Sequence, residues 1–250
     1  MRNKSVPLLG RHGEFSRSVY VAGCQRSGTT MLSRIITASQ EMTDFQFGRD
    51  DELDAALILS GTVEHQPKGR YCFQTTYLNE CFRDYYETAN TDKLIWVVRN
   101  PLSVVRSMIH NWGRFAFNEL FQYCGYTELT EKQKLRYEKW GLWSISPLSR
   151  ACCSYNAKNR QLFELMDNLG QDRVLVVDYD DLVKFPDSIL PVIYQFIELP
   201  YRRESAAMIH RKSLHKSNRL SSRSQAAIDI ACSPVYSETL NFLPYDKERF

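Results

Sequence analysis

Hydrophobic positions fall in short runs separated by amphipathic stretches. Residues 18–23, SVYVAG, form a β-rich run that closes on a glycine. CQRSGTT follows, and then MLSRIITA, in which Met31, Leu32, Ile35 and Ile36 recur at the spacing of one helix face. The pattern predicts strand, glycine loop, helix. A second run, Leu94–Val98 (LIWVV), has no polar alternation, as in a strand buried on both faces of a parallel sheet. It ends in Arg99-Asn100-Pro101. Asn is a favoured N-cap and Pro a favoured first helical residue, so a helix should begin near Pro101 and carry LSVVRSMIHNW. A third run, Val174–Val177 (VLVV), follows a helical segment from about Cys152 to Leu169, which Gly170 closes. After it come DYDDL and a helix over Ser188–Ile197 that stops before Pro200. Alternating strands and helices predict a single α/β domain with a central parallel β-sheet flanked by helices. The aromatic, helix-flavoured stretch 112–150 is expected to form a helical cap over the sheet edge.

Composition narrows the picture. With 43% hydrophobic and 24% charged residues over 250 positions, disorder, collagen and coiled coil are excluded. A net charge of +3 is too small for a dedicated nucleic-acid binder, but it leaves room for a local anion pocket. No apolar run is long enough to span a membrane, and the first residues, MRNKSVPLLGRHGEF, lack the apolar core of a signal peptide. The expectation is a cytoplasmic protein that engages neither membrane nor nucleic acid. The seven cysteines are odd in number and lack metal-ligand spacing, so they are read as reduced, mostly buried thiols.

Two turns carry candidate chemistry. Gly23-Cys24-Gln25-Arg26-Ser27-Gly28-Thr29-Thr30 has the spacing of a phosphate loop between a strand and a helix, P-loop-like in form. Backbone N–H groups of such a loop point inward, and the helix N-terminus adds positive dipole. Thr29 stands where a nucleoside-triphosphatase keeps its lysine, which counts against ATP hydrolysis. The loop's cation is Arg26. The second turn is Arg99-Asn100-Pro101 at a strand end, where open α/β sheets bind ligands. Arg99 offers a bidentate fork for phosphate and Ser107, two helical turns on, a hydroxyl. Two separate anion sites suit a nucleotide with phosphate at both ends of its ribose.

In this order the motifs resemble the sulfotransferases that use 3′-phosphoadenosine 5′-phosphosulfate (PAPS). The pieces are Gln25-Arg26-Ser27-Gly28-Thr29-Thr30, then Arg99-Asn100-Pro101 with Ser107, then Tyr179-Asp180-Asp181-Leu182, and the resemblance spans about 18–245. It implies that Gln25, Arg26, Ser27, Gly28, Thr29 and Thr30 wrap the 5′-phosphosulfate, with Arg26 stabilising charge on the departing oxygen. Arg99 and Ser107 would hold the 3′-phosphate, and Tyr179 would touch adenine or that phosphate. PAPS is the implied donor, the desulfated nucleotide PAP the product, and no metal is implied. Met31 stands where many members have an adenine-packing Trp. Gln74 and Thr76 stand where many have a Lys and some a catalytic His.

The base must therefore come from elsewhere. Asp51 and Glu52, in the acidic run 50–54 after the first helix, are the favoured candidates, the alternative being a solvated acidic helix start. His65, in a Gly/Pro-flanked loop, and His110, three residues after Ser107, are the other two. Residues 202–223 hold seven Lys/Arg against one acid, a charge of +6. They are read as a lid over the phosphates, with Lys216 and Arg219 the expected contacts. A last helix is expected near 224–245. If the acidic run lines the acceptor pocket, it suits a polar or cationic small molecule such as a saxitoxin-type alkaloid. A homodimer is compatible with this reading. A P-loop nucleotide kinase remains the rival enzyme, since VLVVD at 174–178 has the form of a Walker B strand. A non-catalytic nucleotide-binding protein on the same fold is the rival outside enzymes.

Overall fold

The computed structural model describes residues 8–45, 51–87, 92–209 and 220–246. In chain order its main elements are β1 (Val19–Gly23), α1 (Thr29–Thr37), α2 (Asp51–Leu59), β2 (Cys72–Gln74), α3 (Asp84–Glu87), β3 (Lys93–Val98) and α4 (Pro101–His110). They continue with α5 (Arg114–Tyr123), α6 (Glu131–Trp140), α7 (Pro147–Leu169), β4 (Val174–Asp178), α8 (Tyr179–Lys184), α9 (Pro186–Phe196) and α10 (Ser222–Leu240). The sheet is all parallel with strand order β2-β1-β3-β4. The three apolar runs of the sequence are β1, β3 and β4.

Parallel strands bury both faces, and the period of two divides their side chains between two cores. Tyr20, Ala22, Leu94, Trp96, Val98, Val174 and Val176 face one core, closed by α2 and by Leu162 and Leu165 of α7. Val19, Val21, Ile95, Val97, Leu175 and Val177 face the other, closed by Leu32, Ile35 and Ile36 of α1 and by α8 and α9. A third core joins Val104, Val105 and Met108 of α4 to Tyr155 of α7 and to Ile228 and Cys232 of α10. The seven cysteines form no disulfide. No helix is long and apolar enough to cross a membrane among the described residues.

Two features differ from the sequence expectation. The strand β2 is three residues long, too short to show any alternation, and exists by pairing with β1 through Val19–Val21. The 112–150 stretch is helical, but α5 and the turn Gly125–Glu128 pack on α7 rather than on a strand edge. A small cluster of Phe121, Leu129 and Ile145 secures them.

Candidate active site

The strand order places β2 on one side of β1 and β3 on the other, so the chain reverses direction across the sheet between β1 and β3. The carboxyl ends of such strands open into a crevice that binds ligands. The loop after β1 and the turn after β3 meet there. They have little room, because a Cβ on Gly23 would overlap the Val97 carbonyl of the neighbouring strand. Gly23 and Gly28 have φ of 139° and 99°, and Arg26 has 73°. Such left-handed turns aim successive N–H groups to one side, which makes an anion-binding concavity. Gly28 is the N-cap of α1, and no side chain caps that helix. Asn100 caps α4 as its sequence predicts, accepting from the Leu102 N–H at 2.9 Å, with Pro101 as the first helical residue.

A cavity of about 680 Å³ occupies this crevice. Gln25, Arg26, Gly28, Thr29 and Thr30 line it from the loop, and Arg99, Ser103, Arg106 and Ser107 from the β3 end and α4. Gln74 lines it from the end of β2 and Thr76 from just beyond, and Arg34, Asp51 and Glu52 from α1 and α2. The two turns are joined directly: Arg26 Nε donates to Ser107 Oγ at 3.1 Å, and Arg99 Nη1 donates to the Arg26 carbonyl at 3.4 Å. Partial burial, and then the charge of Arg99, hold the Arg26 pKa below its ordinary value.

The supports of Arg99 are built from three elements. Its carbonyl accepts from the Tyr155 hydroxyl at 2.9 Å. Its guanidinium lies 4.3 Å over the Tyr179 ring and 3.6 Å from Asp180. Burial raises the Asp180 pKa, and Arg99 partly offsets the rise. Tyr179 itself is buried between Arg99 and the Gly28 backbone, so it supports the cavity rather than lining it. Gln25 donates to the Thr76 carbonyl at 2.8 Å and to Asn79 Oδ1 at 2.9 Å, tying the phosphate loop to the segment after β2. Ser27, within the loop, is fully buried and stays outside the cavity wall.

The candidate bases separate. Asp51 and Glu52 both line the cavity, and Asp51 is gripped by Arg34, whose Nε and Nη2 reach its two oxygens at 2.7 and 3.2 Å. His65 lies elsewhere: its Nε2 is 3.2 Å from the Tyr71 hydroxyl and its ring stacks on Phe15, among aromatics of the first core. Desolvation, then Lys68 and Arg11, lower its pKa. His110 is exposed at the last residue of α4, and the wall of the cavity takes Ser107 and Asn111 instead. Lys216 and Arg219 lie outside the described residues. Sequence reasoning missed Arg34 and Arg106. Arg34 stands four residues after Thr30, one turn along the same face, and Arg106 is a lone cation in the apolar run Leu102–Ile109.

Asp178, at the end of the Walker-B-like strand, is committed to structure. Its Oδ1 caps α8 by accepting from the N–H groups of Asp180 and Asp181 at 2.8 and 3.3 Å. Its Oδ2 accepts from the Tyr236 hydroxyl of α10 at 2.6 Å. A kinase would need this carboxylate for its metal, so the geometry disfavours that rival.

Fold and site together define an α/β protein with an arginine-lined crevice at its chain-reversal point. The chain matches the sulfotransferase domain family over residues 16–227 and belongs to that family. Among solved structures it is similar in fold to a sulfotransferase from Alicyclobacillus acidocaldarius, with 13% identity over 92% of this chain and 97% of that one, at a TM-score of 0.55. A mouse sulfotransferase complexed with PAP shares 16% identity over 94% of this chain and 88% of that one, at 0.52. The sulfotransferase domain of an olefin synthase from Synechococcus shares 14% over 93% and 96%, also at 0.52. No curated protein sequence matches the chain.

Proposed function

We propose that this protein transfers a sulfuryl group from PAPS to a hydroxyl or amine of a polar small molecule, with Glu52 as the base. The observation that carries the reading is the junction of the two anion-binding turns through the Arg26–Ser107 hydrogen bond in one cavity. The donor carries phosphate on both sides of its ribose, and the cavity is fitted to that charge. Neither Arg26 nor Arg106 has a carboxylate partner among the described residues.

The bound donor supplies the sulfuryl group, and its bond from sulfur to the bridging oxygen is the one that breaks. Arg26 stands in the loop that would wrap this end, and a preorganised cation there offsets the negative charge that grows on the departing oxygen. The acceptor proton must pass to a base. Asp51 and Glu52 are the carboxylates that line the cavity. With both oxygens of Asp51 held by Arg34, Glu52 takes the proton, and the ion pair positions the start of α2. An acidic wall of this kind suits a polar or cationic acceptor.

Incubation with sulfate-labelled PAPS and a panel of phenols, alcohols and amines tests the reading. Transfer is expected to at least one acceptor. In Glu52→Gln it should fall about 100-fold or more, the usual scale of general-base catalysis, while PAP binding stays within threefold of wild type. Unchanged turnover in Glu52→Gln would remove it from the base role.

A further inference from the structure

Four guanidiniums line the cavity, and their charge balance is uneven. Arg34 is paired with Asp51 and Arg99 with Asp180. Arg106 is 9% exposed, has no ion pair among the described residues, and its Nε is buried without a hydrogen-bond partner. A buried arginine left unpaired is unfavourable unless an anion completes it. It sits on α4 three residues after Ser103 and one before Ser107, and all three line the cavity. The two acids that line the cavity, Asp51 and Glu52, stand on α2 instead.

We propose that Arg106 is a second guanidinium for the 3′-phosphate of the donor nucleotide, an assignment that rests on the donor reading above. A phosphate monoester near neutral pH carries close to two negative charges and three acceptor oxygens. Arg99 shares its charge with Asp180 and its face with Tyr179. Ser107 adds a neutral hydroxyl. Arg106 supplies the remaining positive charge, and its planar fork matches phosphate geometry. The assignment gives the site a way to tell a 3′-phosphorylated nucleotide from a simple 5′-nucleotide.

Calorimetric titration of the full chain with PAP and with 5′-AMP, which lacks the 3′-phosphate, tests this in wild type, Arg106→Met and Arg106→Lys. Arg106→Met keeps the volume and removes the charge. Its affinity for PAP should fall about 10- to 100-fold, the scale of losing charged hydrogen bonds, and its affinity for 5′-AMP should stay within threefold. Its unliganded melting temperature should hold or rise, because an unpaired buried charge is gone. Unchanged PAP affinity overturns the assignment, and so does an equal loss for both nucleotides. A raised acceptor KM with unchanged PAP affinity also overturns it and moves Arg106 to an acceptor carboxylate. Should Arg106→Met not fold, Arg106→Lys decides: the PAP-to-AMP preference should drop several-fold, and an unaltered preference overturns the assignment. Wild type that binds PAP no better than 5′-AMP overturns the donor reading itself, before any variant is compared.

Discussion

Gly28→Ala is the sharpest perturbation of the phosphate loop. Gly28 has φ 99° and ψ 14° at the N-cap of α1, a conformation that costs an L-residue about 1–2 kcal/mol. The added Cβ would also overlap carbons Cδ2 and Cε2 of Tyr179. That ring cannot swing away freely. It is 5% exposed, and the Arg99 guanidinium covers its face at 4.3 Å. Overpacking a well-filled site costs roughly 1–3 kcal/mol. Together the two effects predict a loss of about 2–5 kcal/mol, which for a domain of this size lowers the melting temperature by roughly 5–15 °C. PAP affinity should fall with it, because displacing Tyr179 displaces Arg99. Urea unfolding with a double-mutant cycle separates the causes. In a Tyr179→Leu background the clash is relieved and only the backbone strain remains, so the two substitutions should be non-additive by about 1 kcal/mol or more. Additive losses, or a Gly28→Ala protein within about 0.5 kcal/mol of wild type, would refute the packing argument.

Two further outcomes follow from the same geometry. Arg26→Ala should lower kcat by about 100- to 1000-fold, the scale of removing one preorganised donor from a developing anion, with the fold intact by circular dichroism; a loss under threefold in steady-state kinetics would exclude the charge-stabilising role. Asp92 is 4% exposed, and burial pushes its pKa up to about 6, partly offset by the Tyr20 hydroxyl and the Ser18 N–H. The fold therefore favours the protonated form, and this contribution is full below about pH 4 and lost as the pH rises through 6. Chemical denaturation from pH 4 to 7 should show wild type losing up to about 3 kcal/mol relative to Asp92→Asn. A pH-independent difference between the two proteins would contradict the assignment.

Much of the fold was legible because its strands are buried on both faces. An uninterrupted run such as Leu94–Val98 announces a parallel strand, and Asn100-Pro101 announces the helix after it. The start of α6 carries a comparable signal, since Thr130 and Gln133 form a capping box. The strand β2 was not legible, because three residues carry no period and their strand character comes from β1. Which residues meet at the centre of the candidate cavity was legible for a related reason. Left-handed turns and helix starts are local, so Arg26, Gly28 and Arg99 announce themselves in a few residues. Residues contributed across helices did not. Whether Arg34 finds Asp51, or Tyr179 slides beneath Gly28, is decided by how α1, α2 and α8 pack. The histidines show the same limit: the composition of their loops could not tell that His65 joins Phe15 and Tyr71 in an aromatic cluster. It also could not tell that α4 would leave His110 exposed at its last residue.

On the proposed reading, two anion-binding turns, one on each side of the β1–β3 crevice, receive a nucleotide phosphorylated at both ends of its ribose. Titration calorimetry of the wild-type protein against PAP and 5′-AMP measures this most directly. PAP should bind about 100-fold more tightly, the scale of added charged hydrogen bonds from Arg99 and its neighbours to one phosphate, and Arg99→Ala should abolish most of the difference. Equal affinities for the two nucleotides, or a PAP preference that survives Arg99→Ala undiminished, would contradict it.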